Sequence, residues 1–336
     1  MGIKQTAIDM VKGTPAGRVL LKGRRQIVEP IREQKILKSQ FSFVNRQKNH
    51  SKLCIILAGY KEPLWEDVFG RLAAFAPADM DVCVMTSGLV NDDLREIARK
   101  NDWSYLSTEI NHLSHIQNLA IRLHPNAEWI YKLDEDIFLT EGVFEKMLET
   151  WHEVEDNSLY NPAFVAPLIN VNGFTHLRIL EKLGLLDAFR ETGMTDMKYT
   201  EGVRADLNIS QNPDVSRYMW GETEPVLRDI DALAARFAQE PPSYSVCPMR
   251  FSIGAILFSR ANWMQFGGFP VTFYGSKYGL GDDEEHISIY AGYYGKAIII
   301  CENALVGHLG YGGQTAAMME YYEQHRDRFA LPASFR

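Results

Sequence analysis

The sequence predicts an α/β fold in which a mostly parallel central sheet is flanked by helices. From residue 52 onward, short apolar runs typical of buried strands alternate with segments that repeat apolar residues at helical spacing. Four such strands separated by helices imply parallel pairing with right-handed crossovers. The 336 residues, of which 46% are hydrophobic and 23% charged, suffice for one large domain or two smaller ones.

The first half of the predicted sheet is the more regular part of the chain. Its strands are expected at 54–58, 81–86, 104–106 and 129–133, and its helices at 64–73, 92–98, 113–123 and 142–154. Asn91 is expected to cap the second helix, because its side chain can accept a hydrogen bond from the first turn. The turn from Ala58 to Pro63 has no G-x-G-x-x-G, so the sequence does not support a dinucleotide site.

The second half is predicted to begin with a long insertion. Between residues 151 and 250 the pattern loosens, with one strand expected at 164–169 and one helix at 226–237. Regular strands return at 251–258 and 297–301. We therefore expect four segments: an N-terminal extension (1–50), a first half of the fold (51–150), an inserted, mainly helical or loop region (151–250) and a second half with the C-terminal segment (251–336).

The formal charge of −8 is unevenly distributed along the chain. Residues 1–50 contain 11 Lys and Arg against 3 Asp and Glu, whereas the remaining residues contain 24 against 40. An acidic body argues against nucleic-acid binding, which needs a basic footprint. The basic extension could lie on an anionic membrane surface, or it could pack against the acidic body of its own chain or of a partner subunit in a homo-oligomer.

Neither the cysteines nor the apolar segments indicate an extracellular or membrane-spanning protein. The four cysteines are far apart and form no C-x-x-C pair, and three of them lie in apolar, strand-like runs. No uncharged apolar run reaches the roughly 18 residues that a membrane helix needs, and the N-terminus has no compact apolar signal segment. We expect a cytoplasmic protein with reduced cysteines, peripheral to the inner membrane face if the basic extension binds there.

Acidic residues follow the fourth predicted strand in the sequence Lys132-Leu133-Asp134-Glu135-Asp136. Side chains two apart in a strand point to the same side, so Asp134 and Asp136 can both face the crevice at the carboxyl edge of the sheet. Two carboxylates so placed repel each other unless a cation lies near. Their hard oxygen atoms suit Mg²⁺ or Mn²⁺, which can also hold a diphosphate. The alternative is a solvated acidic turn.

Four consecutive carboxylates begin a helix-like segment at Asp282. The helix dipole accounts for one or two acids in a first turn and leaves the others crowded. A general base needs a carboxylate beside the reacting hydroxyl, and crowding with partial burial would raise its pKa toward a useful range. Asp283 is the first choice for this base, followed by Asp282 and Glu284.

His308 lies among glycines after the last predicted strand, in the sequence Gly307-His308-Leu309-Gly310-Tyr311. Glycines let the backbone approach a phosphate closely. A neutral imidazole can complete a metal shell made of carboxylates and a diphosphate, and it would favour Mn²⁺. The alternative is a structural histidine.

These three clusters, in this order, resemble those of GT-A fold glycosyltransferases of the inverting family 2 type. Gln117-Asn118 is similar to the Arg-Asn pair that this family places before its D-x-D strand. Gly267-Gly268-Phe269 is similar to the family's Gly-Gly-Phe turn ahead of the acceptor site. The resemblance covers about residues 52–149 and 249–321.

The resemblance implies a metal-dependent transfer of a sugar, with inversion, from a nucleoside diphosphate sugar to a hydroxyl of a carbohydrate, glycolipid or protein. UDP is the expected nucleotide. Residues 51–150 would be the nucleotide-sugar-binding half and 251–336 the acceptor-binding and catalytic half, with acceptor or subunit contacts from 151–250. The implied metal ligands are Asp134, Asp136 and His308, and the implied base is Asp283, with Asp282 and Glu284 as alternatives. The implied donor-binding residues are Ala58, Tyr60, Glu62, Ser87, Gln117, Asn118, Lys132, Asp134, Glu135 and Tyr311.

Three departures from the family pattern limit what the resemblance implies. The stretch of about 100 residues between Trp151 and Arg250 is longer than is usual in this family. The second strand ends Thr86-Ser87-Gly88, where the family usually has an acid near the nucleobase, so the base is left open. The sequence has no Q-x-x-R-W and no membrane span, which argues against a processive polysaccharide synthase. Four aromatic residues are candidates for stacking on acceptor sugars or for ordinary core positions, namely Trp220, Tyr244, Tyr274 and Tyr278.

Two other functions are compatible with a D-x-D pattern. A haloacid-type phosphohydrolase also has D-x-D after a strand, but its motif places Thr or Val where this chain has Phe138. Such an enzyme would release phosphate from sugar phosphates without an acceptor. A non-catalytic protein that binds nucleotide sugars or carbohydrates on the same fold would bind them without turnover.

Overall fold

A computed structural model describes residue 14 and residues 28–195, 197, 200–201, 204–205, 207–271 and 281–335. Over these residues the predicted fold class is confirmed, since helices flank a central sheet in which six of the nine strands along the main path run in one direction. The strands are β1 (Phe41–Val44), β2 (Lys52–Leu57), β3 (Met80–Ser87), β4 (Ser104–Thr108), β5 (Trp129–Asp134), β6 (Ile137–Phe138), β7 (Pro162–Ile169), β8 (Thr200–Glu201), β9 (Arg204–Ala205), β10 (Tyr244–Cys247), β11 (Ala255–Ser259) and β12 (Ala297–His308).

The helices occupy the connections between these strands. They are α1 (Trp65–Phe75), α2 (Asp92–Lys100), α3 (Leu113–Leu123), α4 (Val143–Asn157), α5 (Thr175–Leu183), α6 (Leu186–Glu191), α7 (Leu207–Gln211), α8 (Pro213–Met219), α9 (Ile230–Ala238), α10 (Arg260–Gln265), α11 (Asp282–Tyr293) and α12 (Thr315–Gln324). Residues 28–37 are also helical. Within the described ranges, no helix has the length and apolar character needed to cross a membrane. All four cysteines are buried and none forms a disulfide.

The main sheet has the strand order β1-β4-β3-β2-β5-β11-β7-β12-β10, and β6 pairs with the end of β12. The strands β4, β3, β2 and β5 are parallel neighbours, as predicted, and β7 and β12 form a second parallel pair. The two parallel groups are joined by β11, which pairs antiparallel with β5 and with β7. Because all of these strands belong to one sheet, the carboxyl ends of β2, β5, β7 and β12 meet at one edge.

The described part of the N-terminal extension is attached to the body of the protein. Strand β1 pairs antiparallel with β4 at the edge of the sheet. The backbone N–H groups of Lys48 and His50 donate to the Asp81 carboxylate at 2.6 and 3.0 Å. These contacts favour packing on the protein's own body for residues 41–50. The basic residues Lys22, Arg24 and Arg25 lie outside the described residues, and membrane contact stays a prediction.

Trp220 occupies a core position rather than a ligand-binding one. Its ring is fully buried, with centroids 4.2 Å from Phe329 and 5.6 Å from Phe138. Its indole N–H donates to the His308 carbonyl at 3.0 Å, so this core supports the end of β12. Tyr244 is half-buried in the edge strand β10. The two other aromatic candidates, Tyr274 and Tyr278, lie outside the described residues.

Gly307 is expected to be intolerant of any side chain. A Cβ there would lie 2.4 Å from the Trp220 ring and 2.7 Å from Ile230 Cδ1. We expect Gly307→Ala to lower the free energy of unfolding by about 1–3 kcal/mol, the usual cost of overpacking a core, as measured by urea denaturation. Gly70→Ala in α1 is the matched control, since a Cβ there meets open space. An unchanged stability in Gly307→Ala would contradict this packing.

Candidate active site

A cavity of about 340 Å³ opens where the carboxyl ends of β2, β5, β7 and β12 meet. Parallel α/β sheets bind ligands at this edge. All three clusters predicted from the sequence contribute to its wall, with Asp134, Glu135, Asp136, Asp283, Glu284, His308 and Tyr311 among the lining residues. The structure therefore brings together residues that lie up to 177 positions apart in the sequence, Asp134 and Tyr311, while their individual roles stay predictions.

The local pairing of β6 with β12 places Asp136 beside His308. Ile137 is the register partner of His308, and the N–H of Leu309 donates to the Asp136 carbonyl at 3.1 Å. His308 Nε2 then lies 3.4 Å from Asp136 Oδ2. His308 Nδ1 lies 2.8 Å from the Val171 carbonyl oxygen, which can only accept, so this nitrogen carries a proton. In the neutral ring, Nε2 therefore presents its lone pair toward the carboxylate, which suits a shared cation.

Two lysines hold the carboxylates of the D-x-D pair. Lys61 Nζ contacts Asp136 Oδ2, while Lys132 Nζ donates to Asp134 Oδ1 at 2.7 Å and to the Ile253 carbonyl at 2.7 Å. Lys132 is buried and lines the cavity, and its contact with the donor stays a prediction.

The two carboxylates of this pair differ in acidity. Burial by itself would raise the pKa of Asp136, but His308 and Lys61 outweigh it and hold that pKa well below its ordinary value. For Asp134 burial prevails over Lys132, so its pKa is raised. For a histidine burial has the opposite effect and lowers the pKa, because it disfavours the charged form. The Asp136 carboxylate outweighs burial at His308, so the pKa of His308 is raised. His308 and Lys61 therefore stabilise the anionic form of Asp136 more than Lys132 stabilises that of Asp134.

The predicted metal ligands do not form a complete preformed site. Within the part of the chain that the structure describes, no three His, Cys, Asp or Glu side chains are arranged to hold a metal ion. Asp136 and His308 are adjacent, but one oxygen of Asp134 is bound by Lys132. Asp136 Oδ2 is itself in contact with Lys61, so contact with a lysine does not separate the two carboxylates, and all three metal ligands stay predictions.

Glu135 anchors the loop that follows β2. Its carboxylate accepts hydrogen bonds from the backbone N–H groups of Gly59, Tyr60 and Lys61 at 3.0, 3.0 and 3.1 Å. A fourth bond comes from the Trp65 indole at 2.8 Å. These four donors give Glu135 a structural role, and its predicted contact with the donor sugar nucleotide stays a prediction. These bonds bring Lys61 to Asp136.

Asp283 and Glu284 line the cavity from the first turn of α11. Asp283 is buried, and its Oδ2 accepts from Gln117 Nε2 at 3.0 Å. Glu284 contacts Arg250, and its burial raises its pKa to about 7 although Arg250 opposes the shift. Asp283 and Glu284 line the cavity and Asp282 does not, while the choice of base among the three stays a prediction.

Gln117 and Asn118 lie behind the cavity wall rather than in it. Gln117 is fully buried and bonded to Asp283, which makes it a positioning residue for that carboxylate. The amide of Asn118 donates to the Phe269 carbonyl at 2.7 Å and accepts from the Trp263 indole at 3.1 Å. Asn118 therefore holds the Gly-Gly-Phe turn, and its contact with the donor stays a prediction.

Four other predicted donor-binding residues also lie outside this cavity. Ala58 is buried, and its N–H donates to the Met85 carbonyl, which extends the pairing of β2 with β3. Ser87 is buried and accepts from the N–H of His112 at 2.8 Å. Tyr60 and Glu62 are exposed in the loop after β2. In the first two βα turns, Lys61 lines the cavity. Leu57, the last residue of β2, lines it as well.

Three residues that the sequence analysis did not assign to the site support it. Lys61 follows the first strand at the binding edge of the sheet, which is the signal that could have singled it out. Asn170 follows β7, and its Oδ1 accepts from the backbone N–H of His308 at 2.8 Å. Arg250 holds Glu284 from outside the cavity, and no local sequence pattern marks that pairing.

Comparisons with known proteins give only distant likenesses. A scan against protein-family models and a search of curated protein sequences each gave no match. Among solved structures, the chain is similar to the mannosyltransferase PcManGT from Pyrobaculum calidifontis in complex with GDP-Man and Mn²⁺, with a TM-score of 0.44 and 13% identity over 89% of this chain and 68% of that chain. It is also similar to TarS from S. aureus, with a TM-score of 0.28 and 16% identity over 35% of this chain and 21% of that chain. Likenesses of this strength assign no function, which has to be argued from the site.

Proposed function

We propose that this protein is a metal-dependent glycosyltransferase. It would move a sugar from a nucleoside diphosphate sugar, with UDP the expected nucleotide, to an acceptor hydroxyl with inversion. The observation that carries the proposal is that Asp136 and His308, two donors suited to one cation, share a cavity with the carboxylates of Asp283 and Glu284. Such a cavity can neutralise a leaving diphosphate at one end and accept a proton at the other.

The charge of the cavity supports a requirement for a cation. Five carboxylates and two lysines line it, an excess of three acidic side chains. A nucleoside diphosphate is itself an anion and would be repelled by this wall. Mn²⁺ or Mg²⁺ held by Asp136 and His308 would offset the repulsion and stabilise the departing diphosphate.

Asp283 is proposed as the general base. Its buried carboxylate lines the cavity, and the hydrogen bond from Gln117 fixes its orientation. It would take the proton of the acceptor hydroxyl while the hydroxyl oxygen attacks the anomeric carbon from the face opposite the diphosphate, which inverts that carbon. The proton ends on Asp283 and the electron pair of the broken bond leaves with the diphosphate.

Melting temperatures measured with UDP, GDP and CMP, each with and without Mn²⁺, test the donor side of this proposal. We expect a rise that needs both Mn²⁺ and one nucleoside diphosphate. A rise with nucleotide alone would contradict the role of the cation.

The acceptor side is tested by release of free nucleotide from UDP-sugars over a panel of acceptors. Binding without release would indicate the non-catalytic alternative, and phosphate release from sugar phosphates would indicate the phosphohydrolase.

Lys61→Met is expected to tighten Mn²⁺ binding in the absence of nucleotide. The Lys61 ammonium occupies Asp136 Oδ2, so a metal ion has to displace it. Removing the competing charge, which is worth about one charge-assisted hydrogen bond, should lower the Kd for Mn²⁺ about tenfold. Electron paramagnetic resonance of free Mn²⁺ measures this directly. Lys100→Met on the surface of α2 is the control, and an unchanged Kd in Lys61→Met would show that Lys61 does not compete.

A further inference from the structure

Lys61 has a side chain that can turn while its backbone stays in place. Among the described residues, Asp136 is the one hydrogen-bond partner of its ammonium. The side chain of Lys61 is 23% exposed and that of Asp136 is 3% exposed, so the ammonium covers the carboxylate from the open side of the cavity. The N–H of Lys61 is held by Glu135 at 3.1 Å, whereas the four-carbon stem is flexible. Lys61 can therefore leave Asp136 without a change in the main chain.

The other lysine in the wall of this cavity is fixed. Lys132 is buried, and its ammonium donates to Asp134 Oδ1 and to the Ile253 carbonyl, each at 2.7 Å. Withdrawing a buried ammonium from its acceptors is costly. Of the two lysines among the described lining residues, Lys61 is thus the one that an incoming ligand can recruit.

A divalent cation bound to Asp136 would change the position of Lys61. Oδ2 of Asp136 is in contact with the Lys61 ammonium, and the same oxygen lies 3.4 Å from His308 Nε2. A metal ion and an ammonium on one oxygen repel each other, so Lys61 has to turn away when the ion binds. Its ammonium then lies unpaired on the open side of the cavity, the side from which a nucleotide enters.

The charge of the cavity leaves work for this displaced lysine. Five carboxylates and two lysines give an excess of up to three negative charges, and a divalent ion offsets two of them. A diphosphate that enters such a cavity needs a further cation. An ammonium has three N–H donors and binds phosphate oxygens as a point charge, which is the contact that Lys61 can supply.

We propose that Lys61 exchanges partners when the sugar nucleotide binds: it leaves Asp136 as Mn²⁺ binds there, and it then donates to the diphosphate. Lys61 would thus oppose the metal ion in the empty site and assist the nucleotide in the metal-loaded site. This inference rests on the proposed function, because it needs a cation and a nucleoside diphosphate in this cavity. It adds to that function a residue that selects for the diphosphate.

Lys61→Met tests the exchange through two affinities of the full chain that should change in opposite directions. Mn²⁺ alone, followed by electron paramagnetic resonance, should bind about tenfold more tightly because its competitor is gone. UDP, titrated by calorimetry at saturating Mn²⁺, should bind about tenfold or more weakly because a charge-assisted hydrogen bond to a phosphate is lost. GDP replaces UDP if the melting temperatures select it. Lys100→Met, which removes an exposed lysine elsewhere, should leave both affinities unchanged.

The signs of the two changes separate the exchange from general damage to the site. A site damaged as a whole would bind both ligands more weakly, and that result in Lys61→Met would overturn the exchange. UDP binding as tight as in the wild type would overturn it too, and so would an unchanged Kd for Mn²⁺. If the wild type itself binds no nucleoside diphosphate with Mn²⁺, the proposed function fails and the exchange fails with it. A wild type that binds both ligands, with a Lys61→Met variant that lacks the opposite changes, removes the exchange alone.

Discussion

Asp136→Asn is expected to abolish sugar transfer, with a rate at least about a thousandfold below that of the wild type. Loss of one preorganised electrostatic group at a leaving group costs about a hundredfold to a thousandfold. With His308, whose Nε2 lies 3.4 Å from Asp136 Oδ2, Asp136 also forms the pair of donors that we propose for the cation. The variant should therefore lose Mn²⁺ binding as well as turnover, and the rise in melting temperature with UDP and Mn²⁺ should disappear.

The fold of Asp136→Asn should survive, because asparagine fits the same volume and Lys61 can turn toward solvent once its partner is gone. Lys61 is already partly exposed. Circular dichroism and urea denaturation check this, and Asp187→Asn on the exposed surface of α6 is the matched control. Metal-dependent nucleotide binding that persists in Asp136→Asn would remove Asp136 from the cation site and, with it, the observation on which the proposed function depends.

Local sequence signals predicted the individual elements of the first half of the sheet well. The predicted helix 113–123 coincides with α3, and Asn91 caps α2 by accepting from the N–H of Leu94 at 2.9 Å. Both depend on residues within one or two turns of each other. The position of β11 between β5 and β7 was not predictable in this way. Long-range packing decides which strands are neighbours, and hydrophobic periodicity contains only local information.

The difference between local sequence signals and long-range contacts also explains what could be predicted of the site. That the D-x-D cluster and His308 share a cavity followed from their predicted positions at or after strand ends, since the carboxyl ends of parallel strands meet at one edge. The acidic cluster at Asp282 begins a helix, and its place in the cavity did not follow from this rule. The partners of each carboxylate did not follow. Glu135 resembles its neighbours in sequence, yet it binds a loop about 75 residues earlier in the chain. The lysine held by Asp136 lies equally far away. Such side-chain pairings depend on distances within the folded chain.

Asp283→Asn is expected to lower the rate of transfer about a hundredfold to ten thousandfold while leaving donor binding intact. Positioned general bases contribute this much, and an amide cannot take up the proton of the acceptor hydroxyl. Asn keeps the shape of the side chain and can still accept a hydrogen bond from Gln117 Nε2. The rise in melting temperature with UDP and Mn²⁺ should therefore persist, which separates this variant from Asp136→Asn.

The activity of Glu284→Gln decides whether Asp283 or Glu284 is the general base. If Glu284 were the base, the wild-type kcat/KM would rise with pH through about 7, where its burial places its pKa, and the rise would vanish in Glu284→Gln. With Asp283 as the base, Glu284→Gln should retain most of the activity at every pH, because the amide can still accept from Arg250. A loss in Glu284→Gln as deep as that in Asp283→Asn would transfer the role of base to Glu284. The cavity would stay as described, since both acids line it together with Asp136 and His308.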